Sequence, residues 1–555
     1  MMMQHKVEII VENVGLREKI DPGMSLGEIA QQLNVGLKQP ILGAFVNNKL
    51  RELSYKVFSP KVVRFIDINH PSGRRMYERS LFFVLSMAIK EILPGKNLRV
   101  EHSISKGYYC EIEGMASIDP KIVMAISNRM KEIINENLPF RREKMLTEDA
   151  IPMFEKEGML QKVKLLKTKP KLFTSVYFLN GIIDYYYEEL IPSTGLLTNF
   201  DLVNYFEGML LMIPRKDNPE KLEDIILQNK MFDVFQEQKD WLTIIGAETI
   251  GDINRIILDG NGGDLIKVAE ALHEKKVAQV ADQIFCRKDV QLALISGPSS
   301  SGKTTFSKRL AIQLRVLGLK PVVIGMDDYF VDREHTPKDE NGDYDFESIY
   351  AVDIDLFNKD LTALMNGESI QVPRFDFATG RRTYDGHTLA LEKNSIIVVE
   401  GIHALNPLLT SKIEERRKFK IYLSALTSIS MDRHNHIPTT DNRLIRRIVR
   451  DARYRSYSAY DTIKRWPSVR KGEDKNIFPY QEYADVMFNS ALLYELAVLK
   501  HYAEPLLREV PPTAHEFAEA HRLLKFLGYF VPLAENEIPP TSILREFLGG
   551  SSFKF

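Results

Sequence analysis

Apolar and polar residues alternate along "KVEIIVE" (residues 6–12), the two-residue period of a half-buried strand. "SLGEIAQQL" then shifts to a helical period with Ser25 placed as its cap, and "AFVNNKLREL" reads as a hairpin turning at Asn47-Asn48. Residues 1–70 are therefore expected to form a small mixed domain. From Tyr77 to Leu93 the spacing predicts an amphipathic helix stopped by Pro94-Gly95. A second mixed region, 71–225, follows, and 226–285 reads as a helical connector with polar faces. In 286–510 short apolar runs recur between helical stretches: "VQLALIS" (290–296), "KPVVIG" (320–325), "SIIVVEG" (395–401), "FKIYLSA" (419–425) and "ADVMFN" (484–489). Strands alternating with helices predict a doubly wound parallel sheet, with chemistry at the carboxyl ends of its strands. "VPPTAHE" ends that domain, and 511–555 reads as a short helix and a Pro/Gly-punctuated tail. The whole is a multidomain α/β chain.

Composition narrows the class. With 555 residues the chain has room for about three domains. Its 74 basic and 75 acidic residues give a net charge of −1, so no global basic field points to nucleic acid. Two cysteines, Cys110 and Cys286, are too few for a disulfide framework. No apolar run reaches membrane-spanning length, and "MMMQHKVEIIVEN" lacks the apolar core of a signal peptide. A soluble cytoplasmic protein is expected, without membrane partners.

The strongest chemical signal is "ISGPSSSGKTTFSKRL" (295–310), which fits G-x-x-x-x-G-K-[ST] between a strand and a helix. The loop of Gly297, Pro298, Ser299, Ser300, Ser301 and Gly302 would wrap phosphates with the backbone N–H groups of its residues other than Pro298. Lys303 would neutralise their charge, and the Thr304 hydroxyl suits Mg²⁺, with Thr305 beside it. Asp327 and Asp328 follow "VVIG", and Glu400 ends "IIVV", where carboxylates can orient Mg²⁺ or accept a proton from a hydroxyl. Taken singly, each acid reads equally as a solvated loop residue. "RLIRRIVRDARYRSYS" then supplies Arg443, Arg446, Arg447, Arg450, Arg453 and Arg455; helical spacing places Arg443, Arg447 and Arg450 near one face, as a lid over phosphates or as a solvated basic face.

Seven stretches in order, "GPSSSGKTT", "MDDYF", "DYDFESIYAVDIDLF", "VPRFDFATGRR", "IIVVEGIHAL", "RLIRRIVRD" and "YADVMFNSA", resemble the uridine kinase/phosphoribulokinase family of phosphate-loop kinases. The resemblance implies an ATP- and Mg²⁺-dependent phosphotransferase acting on the 5′-hydroxyl of a nucleoside, with uridine or cytidine of pyrimidine salvage as the expected acceptor. It implies Asp327 as the base and Lys303 on the β- and γ-phosphates, with Glu400 and Thr304 serving Mg²⁺. Arg447 would approach the substrate, Arg450 and Arg455 the ATP phosphates, and Phe330, Phe375 and Phe377 would line the acceptor pocket. Three positions depart from the family: Glu347 stands for its ribose-binding Asp, Gly380 for a base-reading His, and Tyr457 for a base-reading Arg. A purine nucleoside, a sugar or a polyol stays open as acceptor.

The amino-terminal half resembles threonyl-tRNA synthetase. Residues 5–68 are similar to its small β-grasp-like TGS domain and 70–225 to its α+β editing domain, through "RSLFFVLSMAIKEILPGKNLRVEHSISKGYYCEI" and "PSTG" (192–195). That editing domain uses two histidines, then a cysteine and a histidine; here the positions fall at Arg79, Phe83, Tyr186 and Leu190, which supply none of them. The expectation is a retired module with a structural or regulatory role. Homo-oligomerisation, RNA contact and an ATP-binding regulator acting on tRNA or the ribosome stay open.

Overall fold

The computed structural model of the protein describes residues 6–169, 171–338, 342, 344–376, 379–386 and 388–554. Near the amino terminus five strands form one sheet in the order Leu16–Ile20, Val7–Val11, Lys61–Ile66, Gly43–Val46, Lys49–Arg51. Val7–Val11 runs parallel to Lys61–Ile66, and the other pairs are antiparallel. The alternation read in the sequence buries Val7, Ile9 and Val11. Ser25 caps Leu26–Gln32 reciprocally with Glu28, whose N–H donates to Ser25 Oγ at 3.2 Å. Asn47 and Asn48 both take positive φ, 49° and 57°, as a two-residue hairpin requires.

The long helix spans Pro71–Ile92, one and a half turns longer at its start than the apolar spacing predicts, because His70 caps it and Pro71 opens it. It is buried on nearly every side rather than amphipathic. Its charged groups are answered internally: Arg79 Nη1 donates to Glu188 at 2.8 Å, and the Tyr108 hydroxyl donates to Glu78 at 2.8 Å. An antiparallel sheet follows, in the order Asp201–Tyr205, Gly208–Met212, Gly107–Ile112, Leu98–Ile104.

Residues 226–285 contain the helices Asn229–Ile245, Ile250–Leu258 and Gly262–Cys286. They are not the polar-faced connector that the sequence suggests. Leu265, Ile266, Val277 and Ile284 join the apolar cluster that includes the central strand of the next sheet. That sheet is all parallel, in the order Lys320–Gly325, Ser395–Glu400, Leu292–Ser296, Lys418–Ser424, Val486–Asn489. Every residue of Leu292–Ser296 is buried. The chain leaves this middle strand towards both edges, which opens a crevice at the carboxyl ends.

A loop after Lys418–Ser424 fastens the two halves together. Arg433 O accepts from Val100 N at 2.8 Å, and Ser430 O accepts from Ile250 N at 2.9 Å. Beneath it Lys162 Nζ lies 2.6 Å from Asp184 and 3.1 Å from Asp432, while His434 Nδ1 lies 2.7 Å from Asp184. Burial pushes the other way, yet Lys162 and His434 hold the Asp184 carboxyl well below the usual range. After the helix Phe517–Leu527 the tail returns to the parallel sheet's crevice, burying Ile543, Leu544 and Phe547. No helix among the described residues is long and apolar enough to cross a membrane.

Candidate active site

Leu292–Ser296 delivers the chain to the glycine-rich loop, and Lys303–Val316 carries it away with Gly302 at the helix start. Gly302 has φ +86°, and a Cβ there would run into Ile543, so only glycine fits. The first turn of this helix is where backbone N–H groups and the helix dipole favour an anion. Lys303 Nζ donates to Gly297 O at 2.9 Å and to Pro298 O at 3.3 Å, and so lies across the loop. Thr304 Oγ1 donates to Glu400 Oε1 at 3.0 Å. This pairing follows from the sheet, where Ile295 is in register with Glu400.

Asp327 and Asp328 lie in the short turn Met326–Tyr329 after Lys320–Gly325. Burial raises the Asp327 pKa against the pull of its cationic neighbours Lys303 and Arg455. Asp328 is spent differently: its carboxylate accepts from Phe375 N at 3.4 Å. Burial pushes Glu400 up to about 7, against Lys303 and with help from the Asp327 charge. Glu347 also rises to about 7, through burial and then the Glu473 charge, with Arg447 and Lys303 opposing. Carboxylates with raised pKa values thus stand among cations in this crevice. The oxygen donors of Thr304 and Glu400 suit a hard divalent cation.

Of the arginines of Thr439–Tyr454 and Arg455 just after it, five fall into two groups. Arg443 and Arg446 are buried and paired with Glu473 and Glu495. They donate to Ser299 O at 3.2 Å and Ser300 O at 3.3 Å, bracing the loop from behind. Ser300 itself has φ +59°, and Ser490 Oγ donates to Ser301 O at 2.5 Å. Arg447 Nη1 donates to Ser299 Oγ at 2.7 Å. Arg447, Arg450 and Arg455 gather around Asp451 at 3.2, 2.7 and 3.8 Å.

Phe330 and Phe375, which the resemblance led one to expect in an acceptor pocket, are buried and meet edge to face at 5.6 Å between centroids. Phe377 lies outside the described residues. Gly380 has φ +71°, and a Cβ there would come within 2.7 Å of Arg333 Nε, so the guanidinium holds the space next to it. The Arg465 guanidinium covers the Tyr457 ring at 4.6 Å.

Two residues at the loop escaped the sequence. Glu473 Oε1 accepts from Ser299 N at 3.0 Å, and Glu546 Oε2 accepts from Thr305 N at 3.2 Å and from Thr305 Oγ1 at 2.8 Å. Each is one acid among several in a helix or tail, and only tertiary packing singles it out. In the amino-terminal half Arg79, Phe83, Tyr186 and Leu190 are all buried, with Phe83 and Tyr186 rings 5.8 Å apart. His436 from the other half packs 4.8 Å from the Tyr108 ring, and burial lowers its pKa to about 4.

Comparison with known proteins agrees with this geometry. A uridine kinase of Staphylococcus aureus is 30% identical over 194 residues, 35% of this chain and 84% of that enzyme. A threonine–tRNA ligase of Clostridium kluyveri is 28% identical over 190 residues, 34% of this chain. The match to the ligases falls in the amino-terminal part, and the chain spans about 30% of that ligase's length. A solved structure described as a possible uridine kinase from Bacillus stearothermophilus is 20% identical over 39% of this chain and all of that one, at a TM-score of 0.26, too low to carry an argument. Residues 293–495, from the loop strand through the arginine helix to the last parallel strand, match the Phosphoribulokinase / Uridine kinase family, and to that family this chain belongs.

Proposed function

We propose that the parallel-sheet domain is an ATP-dependent kinase that transfers the γ-phosphate to the 5′-hydroxyl of a nucleoside, uridine or cytidine foremost. The observation that carries this reading is the meeting, at the carboxyl ends of adjacent strands, of Asp327, the Lys303 loop and the Thr304–Glu400 pair. Asp327 is the group to take the hydroxyl proton, since burial raises its pKa towards that of a useful base. Lys303 offsets charge on the transferred phosphoryl group, and Arg447, Arg450 and Arg455 supply further cations. Thr304 and Glu400 would hold Mg²⁺, which supplies charge neutralisation between the phosphates. Phe330 and Phe375 give the acceptor an apolar wall, and Glu347 a hydrogen-bond acceptor for ribose hydroxyls.

Gly380 and Tyr457 favour a second acceptor class. With a glycine and a phenol where base-reading side chains are expected, selection for a pyrimidine is relaxed, and a purine nucleoside or another small polyol enters the same pocket. Incubating the purified protein with ATP and Mg²⁺ against a panel of nucleosides, sugars and polyols, with ³¹P detection of products, decides between them.

For the amino-terminal half we propose a TGS-like and editing-like scaffold without hydrolytic chemistry. Its support is the burial of Arg79, Phe83, Tyr186 and Leu190, none of which supplies the thiolate or imidazole such hydrolysis needs. Full-length protein incubated with mischarged seryl-tRNA should release serine no faster than buffer alone. Faster release, lost on mutating Tyr108 or His436, would overturn this assignment.

A further inference from the structure

The tail from 535 to 554 ends against the phosphate loop. Ile543 closes on Gly302, and Phe547 lies under the Arg446 guanidinium at 5.1 Å, the same arginine that holds Ser300 O. Ser542 Oγ donates to Glu270 at 2.5 Å, Arg545 donates to Ile538 O at 2.9 Å, and Lys308 bonds to the Lys554 carbonyl. Ile543, Leu544, Phe547 and Leu548 are all buried. The segment is thus fixed in place, and the Glu546 side chain it carries stands half-buried against the helix that leaves the loop.

Both donors of Thr305, its N–H at 3.2 Å and its hydroxyl at 2.8 Å, go to Glu546 Oε2. Thr305 is the third residue of the helix that leaves the loop, within the turn whose N–H groups and dipole favour an anion. A carboxylate and a phosphate oxygen cannot share that N–H, and like charges at hydrogen-bond distance repel.

We propose that Glu546 sets nucleotide affinity: it is an intramolecular anion that competes with a nucleotide phosphate for the Thr305 donors and must rotate away when nucleotide binds. The proposal rests on the kinase reading of the loop. It makes the tail an affinity-determining element of the site rather than a dispensable extension.

The test is calorimetric titration of ADP, with and without Mg²⁺, into the full-length protein and its Glu546→Gln and Glu546→Ala variants. Gln keeps the shape and still accepts from Thr305, so the fold is preserved while the charge is lost. Removing a charge-assisted competitor should tighten ADP binding by about tenfold in either variant, and equally without the metal. Wild-type binding with unchanged affinity in the variants would reduce Glu546 to a helix cap and overturn the proposal. Weaker binding only when Mg²⁺ is present would make it a partner of the metal's water shell, and would equally overturn it. No ADP binding by any of the three proteins would instead sink the nucleotide reading of the loop, and the proposal with it.

Discussion

Thr304, in the first turn of the helix after the loop, and Glu400, at the tip of the strand beside the loop's own, meet with the hydroxyl donating to the carboxylate at 3.0 Å. The loop and the strand tip are thereby locked at the point where a divalent cation is proposed to sit. Burial, with the nearby Asp327 charge, pushes Glu400 up to about 7 against the pull of Lys303 and of the Thr304 hydrogen bond.

That shift has a measurable consequence for stability. An unfolded glutamate titrates near its ordinary value of about 4.5, so between about pH 4.5 and 7 the native state holds the extra proton. Stability should therefore fall as pH rises through that window, and Glu347 adds to the fall. Melting temperatures without nucleotide or metal should show this slope in the wild type. Glu400→Gln, which has no proton to lose, should flatten it; an unchanged slope would remove Glu400 from the set of strained carboxylates.

Lys303→Ala should abolish phosphoryl transfer while leaving the protein folded. The ammonium bonds to Gly297 O and Pro298 O, while Arg443 and Arg446 hold the Ser299 and Ser300 carbonyls of the same loop without it, so its loss costs little structure. ADP release in the presence of ATP and an unphosphorylated nucleoside acceptor is the readout, with circular dichroism as the folding check. Full turnover in the variant would remove the loop from the chemistry.

The Asp184 cluster predicts that the halves do not behave independently. Asp184→Asn takes one partner from the buried Lys162 and from His434, and breaking such a pair costs roughly 3–5 kcal/mol. Urea unfolding should show a loss of that order. A loss under about 0.5 kcal/mol, typical of surface substitutions, would mean that the cluster does not hold the halves together.

Much of this was legible in the chain. The five apolar runs are the five strands of the parallel sheet, within two residues at either end, because buried parallel strands are continuous apolar runs. The Asn47-Asn48 turn and the Ser25 cap were readable because their signals are local. The long helix was harder: burial of Glu78 and Arg79 rests on partners at Tyr108 and Glu188, far along the sequence. The division of the arginines was hidden for the same reason, since Arg443 and Arg447 share a helix face but differ in whether an acid from another helix reaches them. The distinct parts of Glu473 and Glu546 depend wholly on which surface their segments fold back to cover.

The most direct test of the kinase account is single-turnover phosphoryl transfer to the accepted nucleoside by wild type and Asp327→Asn, with ADP affinity measured in parallel. The chemical step should fall by roughly two to four orders of magnitude, with nucleotide affinity nearly unchanged, since the substitution removes a proton acceptor and little else. A chemical step that survives while nucleotide binding collapses would contradict it, and would make Asp327 a structural or metal-holding residue.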